Sequence, residues 1–296
     1  MSRTSIVVVI TIILSFVSLA VLTLFVLGVF LSSTGDPGAM LPGAERVALV
    51  RITGPIEDAA DIVDEIDTYA ESGNVRALVL RVDSPGGGVG ASREIYEAVQ
   101  RLRESGKPVV TSMGPIAASG GYYVACASDT IIAGPSTITG SIGVIATFGS
   151  FKRALDKIGL DFNIIATGPL KATGSEFKEM TDEERDYLQG LLDDLFAQFV
   201  EAISTSRGID TQTMLEIADG RAFTGRQALE LGLVDRIGTL DDALAVAARM
   251  AGLAVPPHVI ERREGPIIDL RDLLREAKLA VRVLPRFTPR IEYRMY

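Results

Sequence analysis

Three short stretches hold residue types that could carry out acyl transfer. Ser119 lies in MGPIAASGGYYVACAS (113–128), flanked by Ala117, Ala118, Gly120 and Gly121. Small neighbours leave room for a substrate carbonyl to reach the hydroxyl. The residues that follow are apolar over a helical length, so Ser119 sits where a helix begins and where its end carries positive partial charge. A serine there is ordinarily a cap. The alternative is a nucleophile on a strand-turn-helix bend, although the G-x-S-x-G pattern of that bend is absent. Lys171 lies in ATGPLKATGSEF (166–177), the least charged surroundings of the chain's six lysines. A surface lysine is normally solvated, but a desolvated one loses its proton more readily and can serve as a general base. The third stretch, RVDSPGGGVG (81–90), runs an apolar segment into three consecutive glycines. Backbone N–H groups in such a turn can approach a ligand or a developing oxyanion; the other reading is a plain flexible turn. The Gly-Lys-Ser/Thr ending of a phosphate-binding loop is missing.

Composition narrows the chemistry. The one histidine, His258, lies far along the chain from Ser119, which argues against a Ser-His-Asp mechanism. A Ser-Lys pair needs no histidine. One cysteine, Cys126, gives no intramolecular disulfide and no cysteine-based zinc site, and it is expected to pack as a small apolar residue. With 29 Lys+Arg against 38 Asp+Glu, the net charge of −9 argues against nucleic-acid binding. A hydrophobic content of 47% excludes a disordered chain. Nothing calls for a metal or cofactor.

The elements that must hold these residues read as an α/β domain. VALVRI (47–52), ALVLRVD (77–83), PVVTSM (108–113), TIIAG (130–134), IGVIAT (142–147) and DFNIIAT (161–167) are strand-type runs. Helical spacing falls over 56–70, 95–102, 151–158, 182–206, 225–231 and 241–251. Thr181 with Glu184 forms a capping-box pattern at the start of the longest of these. Strands alternating with helices imply a largely parallel sheet.

The same stretches carry a resemblance. DSPGGG (83–88), GPIAASGGYYVACASD (114–129), STITGSIGV (136–144), GPLKATGSEF (168–177) and RAFTGRQALELGLVDRIG (221–238) resemble the signal peptide peptidase A family of Ser-Lys proteases, in its short, single-domain form. The resemblance covers about residues 45–250. It implies a crotonase/Clp-protease-like fold, Ser119 as nucleophile and Lys171 as general base. It further implies Ser141 as the serine that orients the lysine amine, with the N–H groups of Gly86 and Gly120 as the oxyanion hole. Ala172 stands where members of the family often have an acidic or amide residue. The implied substrates are signal-peptide remnants and other membrane-associated peptides. The implied assembly is a homo-oligomer, an octamer for the short form, in which serine and lysine of one site come from neighbouring protomers. Two further readings stand beside it: a crotonase-type acyl-CoA enzyme, and a non-catalytic membrane scaffold.

Outside the domain, residues 6–31 run 26 positions without a charge, and about 20 span a bilayer core. The expectation is an N-terminal transmembrane helix that stays attached, since a signal peptide has a shorter apolar region. Arg3 before it and acidic residues after it place the N-terminus in the cytoplasm and the catalytic domain outside the cell membrane, which it crosses once. Residues 32–44, rich in Gly, Pro and Ser, read as a linker before a protease domain at 45–252. In the tail, 253–296, residues 267–284 have helical spacing with basic residues between, as in a surface helix or one resting on anionic lipid. PRFTPRIEYRMY (285–296) reads as a loose end.

Overall fold

The computed structural model describes residues 45–262, the backbone of 291–294, and Ser18, Leu19 and Thr23, which are helical. The chain divides into two units, Met1–Ala44 and Glu45–Tyr296. The rest of 6–31 and the expected helix at 267–284 lie outside the described residues. Among the described residues, no helix is long and apolar enough to cross a membrane.

The central sheet follows from two long apolar strands. Arg46–Thr53 (β1) and Val75–Ser84 (β2) pair in parallel, and β2 pairs in parallel with Val109–Ala118 (β4). Both faces of these strands are covered, as parallel sheets require. Ala48, Val50 and Ile52 of β1 join Leu78, Leu80 and Val82 of β2 in one core. The alternate residues Val47, Leu49, Ala77 and Val79 join a second core, beneath Ala243, Val246 and Ala247 of Leu240–Met250 (α8). The helices Ala60–Glu71 (α1), Val89–Glu104 (α2), Gly120–Ala125 (α3) and Asp182–Arg207 (α5) supply residues to the first core. Lys107 donates to the carbonyls of Tyr69, Ala70 and Ser72 at 2.7–2.9 Å, closing the C-terminal end of α1. Thr130–Ala133 (β5), Arg236–Ile237 (β9) and Val259–Glu261 (β10) complete the parallel order β10-β1-β2-β4-β5-β9.

The feature that builds the site is a change of partner along β4. Its first half pairs with β5, from Val110 opposite Thr130 to Ser112 opposite Ile132. Its second half pairs with Ile138–Gly140 (β6), from Ile116 opposite Ile138 to Ala118 opposite Gly140. Ala222–Thr224 (β8) adds to β6 in antiparallel fashion, making the sheet mixed. The strand expected to end at Met113 therefore continues five residues further.

A separate small sheet joins Gly86–Gly88 (β3), Ile145–Ala146 (β7) and Ile291–Arg294 (β11), with β11 antiparallel to both neighbours. The tail expected to be loose thus contributes a strand. Lys152–Lys157 (α4), Thr211–Ile217 (α6) and Gly225–Glu230 (α7) are short helices.

One expected strand is missing. Residues 161–167 form no strand, and Phe162, Ile164 and Ile165 are exposed, Ile165 to 98%. Among the described residues, no strand pairs with this apolar run. Helix α1 begins at Ala60 instead of near Ile56, because Ile56 is drawn into a parallel bridge with Gly87.

Candidate active site

Ser119 closes β4 and opens α3. Its backbone lies at φ 53°, ψ −119°. Ser119 and Ser141, at φ 50°, are the two non-glycine residues with positive φ among the described residues. Such conformations cost about 1–3 kcal/mol and persist only where the surroundings enforce them. Here the Ser119 N–H donates to the Gly140 carbonyl at 2.7 Å, and its own carbonyl accepts from Tyr123 N–H at 2.8 Å. Two buried tyrosines fix α3 beneath the bend. Tyr122 donates its hydroxyl to the Leu233 carbonyl at 2.8 Å. Tyr123 packs its ring 4.7 Å from Tyr96 and 5.1 Å from Phe199. A Cβ on Gly121 would come within 2.9 Å of the Ser84 carbonyl, so only glycine lets α3 approach the end of β2 this closely.

The capping role expected of an ordinary serine is not what this one does. The Ser119 side chain makes no cap bond to α3. Its Oγ is buried with no hydrogen-bond partner among the described residues, a state it shares with Ser92 and Ser204. An unpaired buried hydroxyl costs about 1–3 kcal/mol. Ser119 therefore combines a strained backbone with an unused hydroxyl.

Ser141 and the glycine turn lie beside it. Ala118 is in register with Gly140, so Ser141 follows the strand that flanks the nucleophile's own. The Ser141 N–H donates to the Arg221 carbonyl at 2.9 Å, and the residue is 7% exposed. Ser84 is in register with Ala117, which brings Gly86–Gly88 alongside the end of β4. Gly86, at φ +97°, donates its N–H to Ser84 Oγ at 3.1 Å. Ile56 N–H donates to the Gly86 carbonyl at 2.9 Å, and Gly88 N–H donates to the Ile56 carbonyl at 2.8 Å. A Cβ on Gly87 would stand 2.1 Å from the Ile56 carbonyl oxygen, so the glycine run is what admits this contact. Gly120 is the first residue of α3, and an N–H at that position has no partner in the helix's own ladder. Ser119, Ser141, Gly86 and Gly120 thus gather at the C-terminal ends of the parallel strands β2, β4 and β6. That end is where open α/β sheets place their ligands.

Lys171 is not joined to this group. It is exposed, in a series of turns where Lys171 N–H donates to the Gly168 carbonyl at 3.2 Å and Thr173 N–H to that of Leu170 at 3.2 Å. Cys126 is buried, and desolvation pushes its thiol up to about 11, so it is inert at neutral pH. Among the described residues, no group of three His, Cys, Asp or Glu could hold a metal ion. Two participants escaped the sequence reading. Ser84, within the quoted DSPGGG run, holds the Gly86 N–H, and β11 lies against the glycine turn, with Glu292, Tyr293 and Arg294 opposite Gly88, Gly87 and Gly86. A four-residue strand at the end of a tail gives no periodicity from which to find it.

Comparison with known proteins fits this geometry. The profile of peptidase family S49 matches residues 101–254, which include Ser119, Ser141 and Lys171. This chain belongs to peptidase family S49. The family's serine-protease character agrees with a serine held at the bend. A Clp protease profile matches residues 33–139, in line with the mixed α/β fold. A Synechocystis sp. protein that carries a protease name is 44% identical over 224 residues, 75% of this chain and 80% of its own length. Protease 4 of Salmonella typhi is 40% identical over 179 residues, 60% of this chain but 29% of that protein. The chloroplastic serine protease SPPA of Arabidopsis thaliana is 31% identical over 247 residues, 78% of this chain and 36% of that protein. The resemblance to the signal peptide peptidase A family is therefore borne out.

Proposed function

We propose that this S49 peptidase is a membrane-anchored endopeptidase that cleaves peptides with a Ser119–Lys171 dyad, the lysine coming from a neighbouring copy of the chain. The observation that carries the reading is the Ser119 hydroxyl, buried, unpartnered and held on a strained bend. A base must reach it from somewhere. Lys171 is exposed within the single chain, beside the apolar run Ile158, Leu160, Phe162, Ile164 and Ile165, which is exposed by 43–98%. An exposed apolar run of this kind points to a protein contact. Burial of that contact would also desolvate the nearby amine and favour its neutral form.

In the reaction, the uncharged Lys171 amine takes the Ser119 proton as Oγ bonds to the peptide carbonyl carbon. The carbonyl oxygen becomes an oxyanion facing the N–H groups of Gly120 and Gly86, the latter exchanging its bond to Ser84 for one to substrate. One such donor contributes about 3 kcal/mol to the transition state. The C–N bond breaks as the Lys171 ammonium gives its proton to the leaving amine. Water then loses a proton to Lys171 as it attacks the acyl carbon; the bond from that carbon to Ser119 Oγ breaks, Lys171 returns the proton to Oγ, and the carboxylic product leaves. Ser141, next to the bend, orients the amine. The pairing of β11 with Gly86–Gly88 supports a substrate that enters as an extended strand beside the glycine turn. Signal-peptide remnants and other peptides at the membrane are the substrates this reading favours, because a body tethered through 6–31 meets them at raised effective concentration.

Labelling with a fluorophosphonate, followed by mapping of the modified residue, tests the nucleophile. Modification at Ser119, and loss of peptide hydrolysis in both Ser119→Ala and Lys171→Ala with assembly intact, is the expected result. Wild-type hydrolysis by either purified variant would end the dyad. A non-catalytic scaffold would keep its biological activity in Ser119→Ala.

A further inference from the structure

We propose that Glu184 is a positioning residue for the general base: its buried carboxylate ties down the loop that carries Lys171. The inference rests on the Ser-Lys reading above and adds a residue to it. Glu184 is the third residue of α5 and 2% exposed. Its Oε2 accepts from Thr181 N–H at 3.0 Å and from Lys178 Nζ, while Oε1 accepts from Thr173 Oγ1 at 3.4 Å. Thr173 stands two residues after Lys171 and Lys178 seven after it. One carboxylate therefore grips the base-bearing loop at two points and fixes both to the start of a 26-residue helix.

The loop has further anchors on its far side. Phe151 N–H donates to the Glu176 carbonyl at 2.7 Å, and Ser150 Oγ to the Lys178 carbonyl at 3.0 Å. Gly174, at φ +77°, tucks against the Phe148 ring, where a Cβ would lie 2.6 Å from ring carbons. Between Gly168 and Thr173, by contrast, the backbone bonds that are present close turns on themselves. Among the hydrogen bonds of the described residues, the grip on Thr173 is the nearest restraint to Lys171 that comes from another element.

Capping alone does not account for this residue. Among the described residues there are two other capping boxes, Thr224 with Gln227 and Thr239 with Asp242. Gln227 and Asp242 are both exposed. The first shows that no charge is needed for a cap, and both show that the capping side chain can stay in water. Burying a carboxylate is unfavourable unless it is paired and hydrogen-bonded. Glu184 is buried because it pairs with Lys178 and holds Thr173, contacts the cap does not require.

The test is steady-state kinetics on the full-length, assembled enzyme with a peptide substrate across pH, for Glu184→Gln, Lys178→Met, the two combined, and Lys171→Ala. Gln keeps the cap, as Gln227 does, and removes the charge; Lys178→Met leaves the cap untouched and guards against a folding defect in the first variant. Displacing a catalytic group by about 1 Å costs on the order of 100-fold in rate. The expectation is a kcat at least about tenfold lower in both variants, KM within about twofold, and a displaced pH–rate profile, with the double variant no worse than either single one. Wild-type kcat and pH profile in Glu184→Gln and Lys178→Met, with Lys171→Ala inactive, overturns the role of Glu184 and leaves the dyad standing. An active Lys171→Ala overturns the dyad, and with it any base for Glu184 to position.

Discussion

Both serines singled out at the site are held at positive φ, Ser119 at 53° and Ser141 at 50°, and both stand within one residue of a strand end. For Ser119 the conformation is imposed by two backbone bonds, to Gly140 and Tyr123, and by the close seat of Gly121 on Ser84. A residue in that conformation points its side chain away from both strand and helix ladders, which is what a nucleophile needs and a cap does not. The strain and the unpaired hydroxyl both oppose folding, so removing them should stabilise the protein while abolishing activity. Ser119→Ala removes the buried hydroxyl; Ser119→Gly removes the hydroxyl and the Cβ strain. We expect Ser119→Gly to unfold later than Ser119→Ala by about 1 kcal/mol, and both to be at least as stable as wild type. Denaturant unfolding of the three proteins checks the order. An alanine variant more stable than the glycine variant would show that the bend carries no strain.

Helix starts govern the element scale. Four of the described helices begin at Asp210, Thr181, Thr224 or Thr239, whose side chains accept from the first turn, and three of these are reciprocal capping boxes. The box at Thr181 is legible in the sequence because it is local chemistry at fixed spacing. β1, β2 and β5 are legible for a similar reason: apolar runs that need only a sheet. What the sequence conceals depends on partners. The second half of β4 looks like a small-residue turn, and is a strand because β6 pairs with it. Residues 161–167 look like a strand and are not, and among the described residues no strand pairs with them. Ser119 and the glycine turn are readable from their small neighbours, whereas Ser84, Glu184 and β11 act through contacts made only in three dimensions. The cap at α5 also sets a pH dependence. The Lys178 ammonium foremost, with the Thr181 N–H, holds the Glu184 carboxyl below its ordinary value of 4.5. A carboxylate depressed in the folded state contributes stability that is complete above its unfolded value and is lost as pH falls through the folded one. The melting temperature of wild type should therefore exceed that of Glu184→Gln near neutral pH, and the gap should close below pH 4.5. A gap that persists unchanged into strong acid would show that the charge contributes nothing.

At the scale of the whole molecule, the nucleophile and the proposed base sit on parts of the surface with different characters. Ser119 is buried at the junction of β4 and α3, while Lys171 is exposed, six residues after the exposed Ile165. A closed ring with head-to-tail contacts lets every copy give its lysine to one neighbour and receive one from the other. That arrangement makes a prediction no single-chain site can meet. Subunits carrying Ser119→Ala keep a sound lysine, and subunits carrying Lys171→Ala keep a sound serine. Each homogeneous assembly is expected to be inactive. When the two are co-assembled at equal amounts, about one quarter of the sites in a random mixture combine a sound serine with a sound lysine across a boundary. Hydrolysis should then return to about that fraction of the wild-type rate, and Ile165→Glu, placed in the exposed apolar run, should lower both assembly and the recovered rate. Measured activity of mixed assemblies, with sedimentation to confirm that the variants share particles, decides the matter. Shared particles without recovered hydrolysis would mean that each chain must supply its own base.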